Sequence, residues 1–317
     1  MGKYFIRRLL LLIPTILIVC VIVFVLMRMI PGSAVDMMVY RLNSAGIAVD
    51  AEQVKAMLGM DKPAVQQFFI WIWGICRGDL GDSLFQNETV WHCIARQLPV
   101  SLELGIVTLV LTNVISIPLG LYCAARQDSI SDYILRIISV LLMSIPTFWV
   151  ASLVLVYPAM WWGYAPPATY VSLFKNFGQN MQMFLVPSLV GAIMQAGMQL
   201  RMVRTSVLDV MRQDYIRTAW AKGVRERTIL FKHAFRNSMI PIVTMIGGSV
   251  GGLIGGSVIM ETLFNIPGIG NQLVTALNQR DYPVVQGCVL VFSLFVMFVN
   301  IIVDMCYKWI DPRVKLD

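Results

Sequence analysis

Six long apolar runs constrain this chain more than any other feature. They cover roughly residues 9–30, 101–124, 134–158, 184–200, 239–263 and 284–306. Each is close to the ~20 residues that a helix needs to span ~30 Å of hydrocarbon. The chain is 57% hydrophobic and only 14% charged, whereas soluble domains carry about 25% charged residues. We therefore expect an all-α integral membrane protein with six transmembrane helices.

The charged residues predict how these spans are oriented. Basic residues concentrate in the loops after the second and fourth runs and in the C-terminal tail. The loops after the third and fifth runs carry one basic residue each, Lys175 and Arg280. Because positive charge favours the cytoplasmic side, both termini are expected there. The net charge of +7 lies beside the spans, which indicates the lipid bilayer as the partner and argues against nucleic acid.

Composition divides the chain into four parts. Residues 1–30 form the first helix, which is longer than a signal-peptide core and has no small-x-small cleavage site. Residues 31–95 contain acidic residues, glycine, proline and short amphipathic segments, which predict a small extracytoplasmic subdomain. Residues 96–306 form a five-helix core, and residues 307–317 form a cytoplasmic tail.

Within the core, residues 201–238 form a strongly basic loop that we call the coupling loop. Its pattern is helix, glycine, helix. Asp214 is the expected N-cap, residues 215–222 form about two turns, and Gly223 closes them in the left-handed conformation. A short helix held between two spans suits the docking of a soluble partner. A solvated basic loop that fixes topology or contacts anionic lipid is the alternative.

The sequence of this loop resembles a known motif. Residues 215–223 read YIRTAWAKG, and His233, Ala234, Arg236, Asn237 and Pro241 follow. This closely resembles the cytoplasmic EAA loop of ABC importer permeases, in particular the dipeptide, oligopeptide and nickel branch. Ala219 and Gly223 match the core spacing of the motif, whereas its glutamate falls at Arg217 and its second alanine at Thr218. Five further segments resemble the same branch, in the same order along the chain: residues 58–63, 78–83, 261–270, 280–287 and 311–313.

The resemblance implies the type I importer permease fold in a bacterial cytoplasmic (inner) membrane. It also implies a homologous second permease, two cytoplasmic P-loop ATPase subunits and an extracytoplasmic solute-binding protein as partners. The ATPases would dock on Tyr215, Arg217, Thr218, Ala219, Lys222, Gly223 and His233. This chain would then catalyse nothing and hold no cofactor, since ATP and Mg would bind to the ATPases. Short peptides are the expected substrate, with nickel chelates or other small solutes as alternatives within the family.

Other chemistry is sparse in the sequence. Neither a catalytic motif nor a metal-ligand spacing occurs, and Cys76 and Cys93 leave a disulfide in the extracytoplasmic subdomain open. Polar groups within membrane spans favour a functional role, and adjacent glycines allow close helix packing. Candidate residues of the translocation path are therefore Ser144, Pro146, Gln195, Gln199, Gly251 and Gly255, with hydrogen bonding and close packing between helices as the alternative. A self-sufficient channel or membrane scaffold explains the spans and glycines, but it does not explain the coupling loop.

Overall fold

The computed structural model describes residues 2–30, 32–167 and 169–310. Its helices are α1 Gly2–Met29, α2 Ala34–Ser44, α3 Ala51–Met57, α4 Ala64–Cys76, α5 Val90–Ala125, α6 Ile130–Ser144, α7 Thr147–Trp162, α8 Phe177–Met211, α9 Asp214–Ala221, α10 Glu226–Thr228 with a π-helical continuation Ile229–Phe235, α11 Met239–Leu263, α12 Ile269–Gln279 and α13 Tyr282–Ile310. The chain folds as two compact units. The first comprises Met1–Ser101 and Pro267–Phe298, and the second comprises Leu102–Ile266 and Val299–Asp317.

The described helices accommodate the six predicted spans. Four of them, α1, α5, α8 and α13, are individually long and apolar enough to cross a membrane. Two further candidates are bent. The α6–α7 pair bends by 93°, and the two ends of α11 bend by 47°. Counting each bent unit as one span gives six, which agrees with an all-helical membrane protein.

The prediction of one continuous helix over residues 134–158 was wrong. α6 ends at Ser144 and α7 begins at Thr147. Pro146 has no N–H to donate and disfavours a helical conformation at the residue before it. Ile145 accordingly adopts φ −90° and ψ 129°, and Pro146 precedes the first turn of α7, where no donor is required.

The first unit packs α4 against α1 and α13. The Phe24 ring lies 5.0 Å from Phe68 and 6.1 Å from Trp71 of α4, measured between centroids. α3 and α4 lie within residues 31–95, where the sequence indicated short amphipathic segments. Cys76 and Cys93 are both free thiols. The disulfide that the sequence left open is thus not formed.

A buried carboxylate lies at the junction of α12 and α13 in this unit. Asp281 is completely buried. Its Oδ2 accepts from Ser83 Oγ at 2.5 Å, and its Oδ1 accepts from the Leu84 backbone N–H at 3.2 Å. Burial raises the pKa of the Asp281 carboxyl, and these hydrogen bonds partly offset the rise. The contacts fix residues 83 and 84 against the start of α13.

The second unit brings α5, α6, α8 and α11 together through small residues and one ion pair. A Cβ placed on Gly120 would lie 2.7 Å from the Val203 side chain and 3.0 Å from the Leu200 carbonyl oxygen, so only glycine allows α5 and α8 to approach this closely. Asp132 of α6 is completely buried and accepts two hydrogen bonds of 2.8 Å from Nε and Nη2 of Arg204 in α8. This bidentate pair fixes the start of α6 against α8.

Candidate functional site

The first part of the coupling loop forms α9, an eight-residue helix. The predicted N-cap at Asp214 was wrong, because Gln213 occupies that position without a side-chain capping bond. Asp214 instead starts the first turn, where a carboxylate favours the positive end of the helix dipole, and its Oδ1 lies 3.4 Å from Arg217 Nη1. The end of the helix is as predicted: Lys222 is the C-cap, and Gly223 follows with φ +71°.

One side of α9 is anchored. Ile216 is completely buried, and the amide Nδ2 of Asn237 donates to the Tyr215 hydroxyl at 3.0 Å. Most of the predicted docking residues are nevertheless accessible to solvent. Tyr215 is 47% exposed and Trp220 is 44% exposed, and Arg217, Thr218, Lys222 and Gly223 are also exposed, with Ala219 half-buried. α9 therefore offers an aromatic and cationic face to a partner while its opposite side is held.

The second helix predicted in the coupling loop is α10, which continues as a π-helical turn, Ile229–Phe235. A π-helix bonds residue i to residue i+5, which brings Ile229 and Ala234 to one side, and both are completely buried. Ala234 joins an apolar cluster with residues of three spans. These are Leu121 and Ala124 of α5, Val203, Val207 and Leu208 of α8, and Ile242 of α11. His233 is half-buried beside Ala234.

A cavity of 790 Å³ opens among α5, α6, α7, α8 and α11 in the same unit. Its lining is mainly apolar and contains five methionines, namely Met143, Met194, Met198, Met245 and Met260. Hydroxyl and amide groups are contributed by Thr108, Thr147, Gln195, Gln199, Ser249 and Ser257. The described residues that line this cavity include no charged side chain. Such a lining suits a neutral or zwitterionic solute better than a bare ion.

The structure brings some of the predicted path residues together at this cavity. Gln195 and Gln199 line it, and Gln199 Nε2 donates to Asn113 Oδ1 at 2.6 Å. Gln199 Oε1 is buried without a hydrogen-bond donor. The described lining does not include three further predicted residues, Ser144, Pro146 and Gly251.

Ser144 donates to the Val140 carbonyl oxygen at 2.9 Å, and Pro146 marks the break between α6 and α7. Gly255 lies within α11, but its surroundings fall outside the described residues. The assignment of all six residues to the path stays a prediction.

Sequence reasoning missed a polar cluster around Glu103 of α5. Its Oε1 accepts from Asn180 Nδ2 at 2.7 Å, and its Oε2 accepts from the Tyr170 hydroxyl at 3.0 Å. Asn180 also donates to the Val171 carbonyl oxygen at 2.9 Å. Burial and the neighbouring carboxylate raise the pKa of Tyr170. A carboxylate inside an apolar run was the available signal, but its partners follow 67 and 77 residues later.

Two family models match this chain. Residues 116–316 match the family model described as "binding-protein-dependent transport system inner membrane component", and residues 1–105 match the corresponding N-terminal model. Two curated relatives match over nearly their whole length. The dipeptide transport system permease protein DppB of Escherichia coli (strain K12) is 34% identical, with 99% of each chain covered. A permease of Brucella abortus (strain 2308), provisionally named for peptide transport, is 36% identical, with 96% of each chain covered.

A solved structure also resembles this chain. It is titled as the crystal structure of an amino acid ABC transporter with histidines, and the TM-score is 0.52 at 12% identity. The alignment covers 68% of this chain and 94% of that one. At this identity the likeness concerns the fold.

Proposed function

Because the chain belongs to the family of binding-protein-dependent transport system inner membrane components, we propose that it forms half of the translocation path for short peptides. The chain is a multi-pass inner-membrane permease subunit of an importer that works with a binding protein and other subunits. Peptides are the proposed substrate because the relatives that match over their whole length are named for dipeptide or peptide transport.

The proposal for the partner subunits rests on the exposed face of α9. A hydrophobic and cationic surface on a helix whose other side is buried is suited to bind a soluble protein. We assign this surface to an ATPase subunit, with Tyr215, Arg217, Thr218, Ala219, Lys222, Gly223 and His233 as the docking set. A homologous second permease would present its own loop to a second ATPase. ATP and Mg would bind on those subunits, and this chain would hold no cofactor.

The contacts of the coupling loop support a mechanism for transmitting movement. ATP binding draws the two ATPases together, and α9 moves with its ATPase. Since the π-helical turn packs with α5, α8 and α11 through Ala234 and the apolar cluster, displacement of the loop reaches three spans. Those same helices border the 790 Å³ cavity, so its access can alternate between the two sides of the membrane. Nucleotide need only bind one of two states more tightly to select it.

The cavity lining supports a peptide as the transported solute. Ligand cavities typically measure ~300–1,000 Å³, and 790 Å³ lies within that range. The hydroxyl and amide groups of Thr108, Gln195 and Ser249 can exchange hydrogen bonds with peptide groups. Methionine side chains are flexible and polarisable, so they can adapt to different peptide side chains. The cavity would therefore favour the peptide backbone over any single sequence, and the binding protein would supply selectivity.

The direct test is purification of the chain from its native membrane in a mild detergent, followed by mass spectrometry of the bound proteins. A second permease and P-loop ATPases should co-purify in a fixed ratio. A binding protein that co-purifies can then be screened for bound peptides. Recovery of the chain alone, or only with copies of itself, would contradict the importer assignment and make channel conductance the next measurement.

The orientation is tested separately by cysteine labelling in intact cells. In a Cys76→Ser background, a membrane-impermeant maleimide should label Lys175→Cys at once. It should label Arg225→Cys only after permeabilisation, because the basic coupling loop is expected on the cytoplasmic side. The reverse pattern would overturn the proposed orientation of both termini.

A further inference from the structure

A groove of 480 Å³ lies between α6 and α8, within the second unit. Eight residues line it, and none of them lines the 790 Å³ cavity. They are Tyr133, Arg136, Ile137, Val140, Leu141, Arg201, Arg204 and Thr205. The lining thus combines three arginines with a row of aliphatic side chains, and neither the docking surface nor the proposed path accounts for it.

The arginines leave the groove with unbalanced positive charge. Arg204 is paired with Asp132 through two hydrogen bonds of 2.8 Å. Arg136 lies near the same carboxylate, with its Nε 3.7 Å from Asp132 Oδ2. Arg201 is exposed, and its Nη1 lies 3.7 Å from the Met143 sulfur. Asp128, in the loop before α6, is a second carboxylate that acts on Arg204, so the three guanidinium groups still outnumber the nearby carboxylates among the described residues of this region.

Arg136 also has unused hydrogen-bond donors. Its guanidinium lies 4.2 Å from the centroid of the Tyr133 ring. Nε and Nη2 of this side chain are buried and donate no hydrogen bond. A buried donor without an acceptor costs free energy. The Arg136 side chain is 35% exposed, so a small rotation would turn these donors toward an anionic oxygen in the groove, and the exposed Arg201 guanidinium could bind the same group.

The aliphatic part of the groove continues from the arginines along α6. Ile137, Val140 and Leu141 are 59%, 51% and 55% exposed. They follow Arg136 in the direction that leads away from the loop before α6, and therefore away from the membrane surface. The groove is basic near the surface and apolar toward the membrane interior.

The position of the arginines along the helices agrees with the level of lipid headgroups. Arg136 lies six residues after the start of α6, which is about 9 Å at 1.5 Å per residue. Arg201 and Arg204 lie ten and seven residues before the end of α8 at Met211, or about 15 and 11 Å. α8 has 35 residues and is about 52 Å long, which exceeds the ~30 Å of hydrocarbon. This part of α8 can therefore lie where the helix leaves the hydrocarbon.

We infer that this groove binds one anionic phospholipid. The phosphate lies between the guanidinium groups of Arg136 and Arg201, and one acyl chain lies along Ile137, Val140 and Leu141. Basic pockets between transmembrane helices bind anionic headgroups through such charges. A zwitterionic lipid would bring its own cation next to the arginines and would bind more weakly.

The test uses the complete permease complex in nanodiscs that contain equal amounts of phosphatidylglycerol and phosphatidylcholine. After release into detergent, native mass spectrometry counts the lipids that stay bound to each permease chain. One phosphatidylglycerol should remain on the wild type. The double variant Arg136→Gln/Arg201→Gln should bind it about 30-fold more weakly, at roughly fivefold per arginine. Arg126→Gln, an exposed residue in the loop before α6, removes the same charge outside the groove and should not change retention.

Three results would overturn the inference. The double variant could retain phosphatidylglycerol like the wild type, phosphatidylcholine could be retained equally well, or Arg126→Gln could lose as much lipid. If the double variant does not fold, Arg201→Gln alone is compared in the same way, because this exposed residue has few contacts to lose.

A cross-link identifies what covers the groove. A benzophenone attached to Val140→Cys should yield an adduct with lipid mass. An adduct with the second permease would show instead that this face is a subunit interface. Transport is not measured in either experiment, so their outcomes do not depend on the peptide assignment.

Discussion

Replacement of Gly223 by valine tests whether α9 docks an ATPase. Gly223 has φ +71°, and a Cβ added there would meet no atom within 4 Å. The valine side chain therefore causes no steric overlap. Holding an L-residue in the left-handed conformation raises the conformational free energy by about 1–2 kcal/mol. A β-branched side chain resists positive φ further. If the loop relaxes to relieve this strain, the exposed face of α9 changes, and ATPase affinity should fall by about 5- to 30-fold.

The assay is equilibrium binding of the purified ATPase to the permease in nanodiscs. Gly46→Val is the matched control, because Gly46 is also left-handed, at φ +81°, with no atom within 4 Å of the added Cβ, but lies outside the coupling loop. It should bind the ATPase normally. Gly223→Asn should stay close to the wild type, since asparagine tolerates this conformation. Wild-type affinity in Gly223→Val, or an equal loss in Gly46→Val, would refute the reasoning.

Three further outcomes can be measured by thermal unfolding in detergent. Asp132→Ala leaves its guanidinium partner in α8 unpaired and should lower the free energy of unfolding by about 3 kcal/mol. This is the lower end for a broken buried pair, because that partner is 14% exposed. An unchanged unfolding midpoint would contradict this prediction. Gly120→Ala should lower the free energy of unfolding by about 1–3 kcal/mol through overpacking against Val203. Gly248→Ala should leave it unchanged, because the added Cβ there meets no atom within 4 Å. Equal midpoints for the two variants would count against the close approach of α5 and α8. The raised pKa of Asp281 means that the folded state holds the proton more tightly, so this group contributes stability below its unfolded pKa of about 3.9 that is lost as pH rises through the folded value. The stability of the wild type relative to Asp281→Asn should therefore increase as pH falls from 7 toward 4, and a constant difference would contradict the assignment.

The location of the membrane spans could be predicted from sequence because hydrophobic length depends only on neighbouring residues. The turn at Gly223 was predictable for the same reason, since a helix followed by glycine is a local pattern. The ends of the helices were harder to predict. α8 extends to Met211, past the predicted end at Leu200, because charged residues that leave the hydrocarbon can continue a helix.

Contacts between distant residues could not be predicted. Asp132 and Arg204 are 72 residues apart, and Ser83 and Asp281 are 198 apart, so neither pairing follows from local pattern. Pro146 was visible in the sequence, but proline can kink a helix or separate two. The angle of 93° between α6 and α7 depends on how the two helices pack.

Because α8 is long, a small tilt displaces its ends by a large distance. A straight helix of 35 residues that tilts by about 10° moves one end relative to the other by roughly 9 Å over its ~52 Å length. That displacement is comparable to the width of an extended peptide. A rotation small enough to leave most helix contacts intact at one end can thus open or close a passage at the other, and a partner that moves the coupling loop needs to rotate α8 only slightly.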